Sequence, residues 1–364
     1  MKILIASVGS GGHIFPAVAL ARELEKEKAE IVFVASKRGL DRKILAGESF
    51  RKIYISANPM PYKPGLKMVP FFFRLLHDGI HAFFMLLMER PRVVVGFGGY
   101  TSGAVLLAGS FLRMKTVIHE QNVVPGRTNR LLAGFADSIA VSFDETKRYF
   151  RNRNTVFTGN PLRRKSLEEC RESSLEKFGL EAKKFTVLIM GGSQGARSLN
   201  NIASRGMGIL PEEAKKNIQI VHIAGPGASA GLSDYYREKG IEGRVFGFVD
   251  EINAAYSVSD MAISRSGAAA IFELAAFAKP MVLVPYPGEK NNQRFNAMFF
   301  ANKNAAVYRD ERNTGETELR DLVMRLFKDP LERKRLSENA KRLSVTNGAE
   351  RLKQVIMEIY AKDA

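Results

Sequence analysis

Residues 2–16 read KILIASVGSGGHIFP, an apolar run followed by a glycine-rich turn and the start of a helical pattern. A strand that leads through glycines into a helix is the opening unit of a parallel α/β sheet, in which the turn lets the backbone approach a ligand. The start of the helix adds unpaired N–H groups and the positive end of a dipole, which attract anions. We therefore expect Gly9, Gly11 and Gly12 to lie beside a bound phosphate.

The same pattern of an apolar strand, a glycine-rich or small polar turn and a helix continues along the chain. Eight further β-rich runs end in glycine or small polar residues, namely EIVFVAS, RVVVGFGG, KTVIHEQN, SIAVS, TVLIMGGS, IQIVHIAG, DMAISRSGA and PMVLVPYPG. Runs this apolar are typical of strands buried on both faces of a parallel sheet. The sequence therefore predicts an α/β protein with two Rossmann-like parallel sheets, whose loops face a shared cleft.

The segment TGNPLRRK at residues 158–165 interrupts this pattern and predicts a domain boundary. We expect one domain over residues 1–160 and a second over 161–341. Residues 342–364 include a helical pattern, ERLKQVIMEIYAKDA at 350–364, which is expected to pack back onto the first domain.

Composition limits the class of protein. The chain of 364 residues is long enough for two hydrophobic cores. Its hydrophobic content of 45% is ordinary for a packed globular protein. A single cysteine, Cys170, can form neither an internal disulfide nor a thiolate metal cage. Since the sequence also starts at once with a core-strand pattern instead of a signal peptide, we expect a reducing, cytoplasmic compartment.

The formal net charge of +17 is unevenly distributed. Residues 1–165 hold 26 Lys and Arg against 12 Asp and Glu, a net +14, and the remaining residues hold 29 against 26, a net +3. The first half therefore faces something anionic, either nucleic acid, a phospholipid surface or a polyphosphate ligand, unless the charge only solvates the surface.

The sequence disfavours two nucleotide-binding patterns. Ile14 stands where a dinucleotide fingerprint needs its third glycine, and the second strand ends in Ala35-Ser36-Lys37 without an acid for the ribose. No Lys-Ser or Lys-Thr follows a glycine loop, which disfavours a P-loop. Asp-x-Asp spacings are absent and, apart from His77 and His81, the five histidines are scattered, so we expect no metal.

His13 stands at the anion-attracting start of the first helix. The dipole there disfavours a positive ring, and a neutral imidazole can act as a general base; a capping or structural histidine is the alternative. Further along, HEQN places His119, Glu120, Gln121 and Asn122 at the end of a strand, where α/β enzymes concentrate polar chemistry.

Three more segments carry candidate ligand groups. GFGGYTSGAVLLAG, residues 96–109, is either a diphosphate cradle or a site of close strand–helix packing. GGSQGAR at 191–197 is a second phosphate turn, with a hydroxyl at Ser193. Glu273 lies on an otherwise apolar helix and suits sugar hydroxyls, unless it is a surface glutamate. PYPGEKNNQRFNA adds amides that suit sugar or base edges, at Asn291, Asn292, Gln293 and Asn296.

Residues 60–92, MPYKPGLKMVPFFFRLLHDGIHAFFMLLMERPR, are too interrupted by charges to span a bilayer. One helical face is expected to pack in the core, and it consists of Phe72, Leu76, Phe83 and Leu87. Phe71, Phe73, Phe84 and Met88 remain outside that face. With the flanking basic residues they suggest docking on an anionic membrane, and burial or a dimer contact is the alternative.

The motifs SGGHIFP, GFGGY, HEQN, TGNPLR, GGSQGAR and NQxxNA occur in this order along nearly the whole chain. This set closely resembles the MurG family, the bacterial N-acetylglucosaminyltransferases of peptidoglycan synthesis. The resemblance implies the two-domain GT-B fold. It implies inverting transfer of N-acetylglucosamine from UDP-N-acetylglucosamine to the C4 hydroxyl of undecaprenyl-diphosphate N-acetylmuramoyl-pentapeptide, at the cytoplasmic face of the inner membrane. It implies neither a metal cofactor nor nucleic acid, and it leaves room for contacts with other cell-wall synthesis proteins.

The resemblance also assigns site residues. The donor would be bound by Ser10, Gly11, Gly12, Asn122, Arg163, Ser193, Val249, Ala268, Ala269, Ala270, Ile271, Phe272, Glu273 and Gln293. Within that set, Glu273 would hold the ribose, Val249 the uracil, and Ser193 and Arg163 the diphosphate. The acceptor diphosphate would lie on the glycine loops, with Gly98, Gly99, Tyr100, Thr101 and Ser102. His13 and Glu120 are the candidate catalytic bases, with His13 preferred.

The sequence departs from the family pattern in two segments, at Val8 and Ser10 in the first loop and at Asn292, where a histidine often precedes the glutamine. Neither change removes a group that the chemistry needs. Three rival functions stay open, namely a glycolipid synthase with a diacylglycerol acceptor, a UDP-N-acetylglucosamine 2-epimerase, and a non-catalytic nucleotide-sugar or nucleic-acid binder.

Overall fold

The computed structural model of the protein describes residues 1–8, 11–55, 68–151, 153–163, 170–192, 195–288 and 292–361. The backbone but not the side chain is described at residues 68–72, 75, 100 and 101. The chain divides into two compact units, Met1–Arg163 with Val345–Ala364, and Arg164–Ser344. These limits lie a few residues from the predicted ones.

The first unit contains a seven-stranded sheet in which every neighbouring pair is parallel, in the order β3-β2-β1-β4-β5-β6-β7. Its strands are β1 (Lys2–Ala6), β2 (Glu30–Ser36), β3 (Arg51–Ile55), β4 (Val93–Gly96), β5 (Lys115–Glu120), β6 (Ser138–Val141) and β7 (Thr155–Phe157). Its connecting helices are α1 (Gly11–Glu25), α2 (Gly39–Leu45), α3 (Met68–Glu89), α4 (Tyr100–Phe111) and α5 (Arg127–Leu132).

The second unit contains a six-stranded parallel sheet in the order β10-β9-β8-β11-β12-β13. Its strands are β8 (Phe185–Met190), β9 (Ile218–Ile223), β10 (Glu242–Phe246), β11 (Met261–Ser264), β12 (Met281–Leu283) and β13 (Val307–Tyr308). Its helices are α6 (Arg171–Phe178), α7 (Arg197–Gly208), α8 (Glu212–Asn217), α9 (Ser229–Glu238), α10 (Ile252–Val258), α11 (Ala268–Ala276), α12 (Gln293–Asn302), α13 (Glu316–Lys328) and α14 (Pro330–Leu343).

Both sheets reverse their strand order at one place, between β1 and β4 in the first unit and between β8 and β11 in the second. In open α/β sheets this switch point opens a crevice at the carboxyl ends of the strands, where ligands bind. The predicted class of two parallel α/β sheets is confirmed, and each switch point is flanked by a predicted glycine loop.

Four strands were not predicted: β3, β7, β10 and β13. They are the edge strands of the two sheets. Most of their residues are only partly buried, whereas the central strands β1, β4, β8 and β11 are almost entirely buried. An edge strand therefore lacks the continuous apolar run by which a central strand is recognised.

The last helix, α15 (Gly348–Ala361), belongs to the first unit and packs against α1. Leu352 and Ile356 are fully buried in the core cluster that also contains Ile14 and Leu20 of α1. At the rim, Lys353 Nζ lies 2.7 Å from Glu27 Oε1. The apolar stripe of α15 thus completes the layer of helices on one side of the sheet.

Helix α3 buries a different face from the predicted one. Leu76, Phe83 and Leu87 were assigned to the core but are 62%, 37% and 42% exposed, and the side chain of Phe72 lies outside the described residues. The buried face is made by Ala82, Met85, Leu86 and Glu89. The prediction failed because the helix is apolar nearly all round, so its periodicity does not select one face.

Candidate functional site

The first switch point brings the loop after β1 against the loop after β4. Gly98 and Gly99 have φ values of +91° and +84°, which side chains other than glycine rarely adopt. A Cβ atom on Gly99 would lie 3.0 Å from Val8 Cγ2, and one on Gly98 would lie 3.2 Å from His13 Cε1. The glycines therefore allow the two loops to approach each other this closely, directly before the start of α4.

His13, on the first turn of α1, is held across the switch point. Its Nδ1 lies 2.6 Å from the carbonyl oxygen of Phe97 and 3.0 Å from Gln121 Oε1. Both partners are oxygens that accept hydrogen bonds, so Nδ1 carries the proton. In the neutral ring, Nε2 is then the atom with the lone pair.

The orientation of Gln121 follows from its other contacts. Its Nε2 donates toward the carbonyl oxygens of Phe97 and His119, each at 3.1 Å, and toward His119 Nδ1 at 3.1 Å. Because all of these are acceptors, the amide nitrogen must face them and Oε1 must face His13. His119 in turn donates from Nε2 to the carbonyl oxygen of Gly159 at 3.3 Å. Burial lowers the pKa of His119 to about 4, against weaker opposition from that bond, so the ring is neutral.

Glu120 has a different environment. Its side chain is 1% exposed, and each carboxylate oxygen accepts two hydrogen bonds. Oε1 accepts from the backbone and side-chain nitrogens of Asn122, at 2.9 and 3.0 Å. Oε2 accepts from the Gly126 backbone at 2.9 Å and from Asn129 Nδ2 at 2.8 Å. The carboxylate thus holds the turn before α5 in place through these four hydrogen bonds, which is a structural role.

The other predicted residues of the first unit differ in how far the structure places them. Gly11 is buried and Gly12 partly buried at the start of α1, and the Arg163 guanidinium stacks over the Phe15 ring at 4.3 Å. Ser102 is fully buried, and its unpaired hydroxyl is aimed toward Gly96, so it cannot meet a ligand without movement. Ser10 lies outside the described residues, as do the side chains of Tyr100 and Thr101.

The second switch point repeats this arrangement. In the loop after β8, Gly192 and Gly195 have φ values of +88° and +74°, and a Cβ atom on Gly195 would lie 2.4 Å from the Ala224 carbonyl oxygen. Asn200 of α7 donates to that same oxygen at 2.7 Å and meets His222 Nε2 at 3.2 Å. Ser193 lies outside the described residues.

Glu273 is buried, with 7% of its surface exposed, on the second turn of α11. Its Oε2 accepts a 2.8 Å hydrogen bond from the hydroxyl of Tyr256, itself buried on α10. The surface-glutamate alternative is thereby excluded. Tyr256 was not singled out from the sequence, although a buried phenol needs a hydrogen-bond partner and the lone acid on the neighbouring helix could have suggested one.

The remaining residues predicted to bind the sugar donor lie on loops and helix starts of the second unit. Val249 is partly buried on the loop between β10 and α10. Gln293 opens α12, and its Oε1 accepts from the Tyr286 backbone at 3.1 Å. The run Ala268, Ala269, Ala270, Ile271 and Phe272 forms the first turns of α11, most of it buried.

Arg265 was missed by sequence reasoning. It follows β11 directly and is 4% exposed, with its guanidinium paired to Glu311 and bonded to the carbonyl oxygen of Pro285 at 2.9 Å. It also donates to Ser198 Oγ at 2.9 Å. Its position at the carboxyl end of a central strand, in SRSG, is the signal that could have revealed it.

The predicted membrane residues can be placed in part. On α3, Phe73 is 70% exposed and Phe84 is 60% exposed, and the side chain of Phe71 lies outside the described residues. Leu76, Ile80 and Met88 extend the same apolar surface. Among the helices that the structure describes, none is both long and apolar enough to cross a membrane.

Two family models match the chain. Residues 3–141 match the glycosyltransferase family 28 N-terminal domain, and residues 186–352 match the glycosyltransferase family 28 C-terminal domain. The first match covers both glycine loops of the first unit, and the second covers the switch point of the second unit.

Curated relatives align over nearly the full chain. A protein of Halothermothrix orenii is 33% identical over 94% of this chain and 95% of its own length. A protein of Desulfotalea psychrophila is 33% identical over 100% and 98%. Both carry the name UDP-N-acetylglucosamine--N-acetylmuramyl-(pentapeptide) pyrophosphoryl-undecaprenol N-acetylglucosamine transferase.

Among solved structures, the crystal structure of Acinetobacter baumannii MurG superposes with a TM-score of 0.75 at 25% identity, covering 98% of this chain and 99% of that one. Full-length identity above 30% and both family 28 domains agree with the motif resemblance and with the fold of each unit. The chain therefore belongs to glycosyltransferase family 28, and within it to the MurG family of N-acetylglucosaminyltransferases.

Proposed function

We propose that this protein transfers N-acetylglucosamine from UDP-N-acetylglucosamine to the C4 hydroxyl of undecaprenyl-diphosphate N-acetylmuramoyl-pentapeptide. The relatives that align over the whole chain carry a name that describes this donor and this lipid-linked acceptor. The acceptor oxygen attacks the anomeric carbon, the bond to the UDP oxygen breaks, and the C4 proton passes to a base. A single displacement of this kind inverts the anomeric configuration.

His13 is the base in this proposal, and the hydrogen bond from its Nδ1 to the Phe97 carbonyl is the observation that carries the assignment. That bond fixes the proton on Nδ1 and leaves the Nε2 lone pair to accept the C4 proton. The four donors on the Glu120 carboxylate support a structural role for Glu120 instead.

The donor occupies the switch point of the second unit. Glu273 accepts hydrogen bonds from the ribose, Val249 meets the uracil through its backbone, and Ser193 and Arg163 hold the diphosphate. The remaining donor contacts come from Ser10, Gly11, Gly12, Asn122, Gln293 and the start of α11 at 268–272. The burial of Glu273 beside Tyr256 supports its part, because a buried carboxylate needs hydrogen-bond donors.

The acceptor diphosphate lies on the first switch point, at Gly11, Gly12, Gly98, Gly99 and the start of α4. The backbone N–H groups of residues 100–102 and the positive end of that helix supply the attraction. The burial of the Ser102 hydroxyl supports a contact through the backbone.

We further propose that the reaction needs no metal ion. The positive helix ends at the proposed donor site, together with Arg163, would stabilise the charge that develops on the leaving diphosphate. A chelator added to the assay tests this directly. An unchanged rate is expected, and a large loss that Mg²⁺ restores would overturn it.

The protein is proposed to act as a peripheral protein on the anionic cytoplasmic face of the inner membrane, where it also meets other cell-wall synthesis proteins. Two observations support this: the exposed apolar face of α3, and the net charge of +14 on residues 1–165. An amphipathic surface flanked by basic groups binds the interface of an anionic bilayer.

One assay tests the transfer. Radiolabelled UDP-N-acetylglucosamine is offered with a short-chain lipid-diphosphate muramoyl-pentapeptide and, separately, with diacylglycerol or with no acceptor. Label in the muramoyl product, joined in the β configuration, is expected. Label in the diacylglycerol product alone, or epimerisation to UDP-N-acetylmannosamine without acceptor, would instead support one of the rival functions.

A further inference from the structure

The contact between Tyr256 and Glu273 joins two helices that border the second switch point. Tyr256, on α10, is 1% exposed, and its hydroxyl donates to Glu273 Oε2, on α11, at 2.8 Å. A hydrogen bond from a neutral donor to a buried carboxylate is among the stronger ones in proteins. We infer that Tyr256 is a positioning residue, which holds Glu273 in the orientation that distinguishes a ribonucleotide from a deoxyribonucleotide. This inference rests on the proposed contact between Glu273 and the ribose.

The hydroxyl of Tyr256 is fixed by its surroundings. Its ring packs against Phe277, with the ring centroids 5.4 Å apart. The carboxyl end of α10 is held by Arg171, whose Nη1 donates to the Val258 carbonyl at 2.7 Å, and by Lys279, whose Nζ donates to the Ser259 carbonyl at 2.7 Å. Lys279 lies three residues beyond the end of α11, so it ties α10 to the segment that follows Glu273.

A free glutamate side chain samples several rotamers, and ordering it for a ligand costs entropy. The Tyr256 hydroxyl reduces this cost before the ligand arrives. A carboxylate offers about four acceptor positions, and two neighbouring ribose hydroxyls need two of them. Tyr256 can therefore orient the group while the ribose hydroxyls bond to it.

The same helix links recognition of the ribose to recognition of the base. Helix α10 begins directly after the loop that carries Val249, the residue proposed to meet the uracil. Tyr256 lies one turn further along α10. Tyr256 therefore connects the helix that follows the proposed uracil loop with the carboxylate proposed for the ribose.

The inference is tested by calorimetric titration of the full-length protein with UDP and with 2′-deoxy-UDP. The ratio of the two dissociation constants is measured for the wild type, Tyr256→Phe, Glu273→Gln and the double variant. We expect the wild type to prefer UDP by about tenfold or more, and Tyr256→Phe to reduce that ratio by at least about threefold. The affinity for 2′-deoxy-UDP should stay within about twofold, because Phe keeps the packing of the ring.

Tyr235→Phe is the matched control. Tyr235 lies on α9, so this substitution removes a tyrosine hydroxyl elsewhere in the same unit. It should leave the ratio unchanged. The double variant should show no more loss than Glu273→Gln alone, because Tyr256 acts through that carboxylate.

The possible outcomes distinguish the role of Tyr256 from the contact between Glu273 and the ribose. If Glu273→Gln removes the preference for UDP and Tyr256→Phe retains it in full, the role of Tyr256 is overturned and the ribose contact stands. If Glu273→Gln itself retains the preference, both are overturned. A wild type that binds neither nucleotide would overturn the proposed donor site as a whole.

Discussion

His13 and Glu120 show how similar candidates in a sequence differ once their partners are known. Both follow from a simple rule, that polar residues at strand ends and helix starts of an α/β sheet carry chemistry. The sequence could not assign the roles, because the groups that orient His13 are the Phe97 carbonyl and Gln121, which lie 84 and 108 residues away. Pairing across such separations depends on tertiary packing, and for the same reason Tyr256 and Arg265 went unnoticed.

Replacing the two residues should have different effects. We expect His13→Ala to lower kcat by about 10²- to 10⁴-fold, because it removes a proton acceptor, and to lower the free energy of unfolding less than Glu120→Ala does, because it removes a single donor atom. Glu120→Ala should instead destabilise the fold by several kcal/mol, on the order of 1–3 kcal/mol for each donor left unpaired. Steady-state kinetics and urea unfolding of both variants provide the comparison.

The opposite pattern would reverse the assignment. If His13→Ala retains full turnover while a folded Glu120→Gln loses it, Glu120 is the base. Ile14→Val on the same turn of α1 is a suitable control for general disturbance of the helix start, because Ile14 is buried in the core.

Among the strands, those buried inside a sheet were predicted from the sequence and those at a sheet edge were not. The nine predicted strands correspond to β1, β2, β4–β6, β8, β9, β11 and β12, all of them inside a sheet. The edge strand β3 reads RKIYI and β10 reads EGRVF, so charged residues interrupt their apolar character. Such residues suit a sheet edge that meets solvent, and they also hide the strand from a search for apolar runs.

Helix α3 shows the converse problem, an excess of apolar residues. Its buried face includes Glu89, which is 6% exposed and pairs with Arg51 at 2.8 Å and Lys2 at 3.6 Å. No rule based on hydrophobicity would place a glutamate inward while Met88 beside it is 82% exposed. The ion pairs compensate for the buried charge, and the large apolar groups are left on the surface.

Exposed phenylalanines on α3 should contribute to membrane binding. We expect Phe73→Ser with Phe84→Ser to weaken co-sedimentation with vesicles that contain anionic lipid, because the pair removes much of the apolar surface that would insert. Leu331→Ser, which changes a 77% exposed side chain in the second unit, is the control. Thermal melting should be nearly unchanged for both, and unaltered co-sedimentation of the double variant would assign this face to another contact.

Across the whole molecule, each unit encloses one buried neutral histidine. Burial lowers the pKa of His119 to about 4 in the first unit and that of His222 to about 3 in the second. An unfolded chain takes up these protons near pH 6.5. Unfolding therefore binds protons below that pH, and both units lose stability as the pH falls from 6.5 toward 4 and 3. Above pH 6.5 neither histidine contributes to the pH dependence.

The size of this effect is testable in the second unit. His222→Gln should reduce the acid-dependent loss of unfolding free energy by roughly 3–5 kcal/mol between pH 6.5 and 3. The measurement is urea unfolding at a series of pH values, compared by slope, because the substitution also lowers stability at neutral pH. Parallel slopes for the wild type and the variant would show that His222 is not the group responsible.

The return of α15 to the first unit has a consequence for biosynthesis. Residues 348–361 leave the ribosome only after all of residues 164–344, yet Leu352 and Ile356 fill the core beside α1. Until then the first unit exposes the apolar face of α1 that α15 will cover. The nascent chain therefore cannot complete its N-terminal unit until the whole of the second unit has been synthesised.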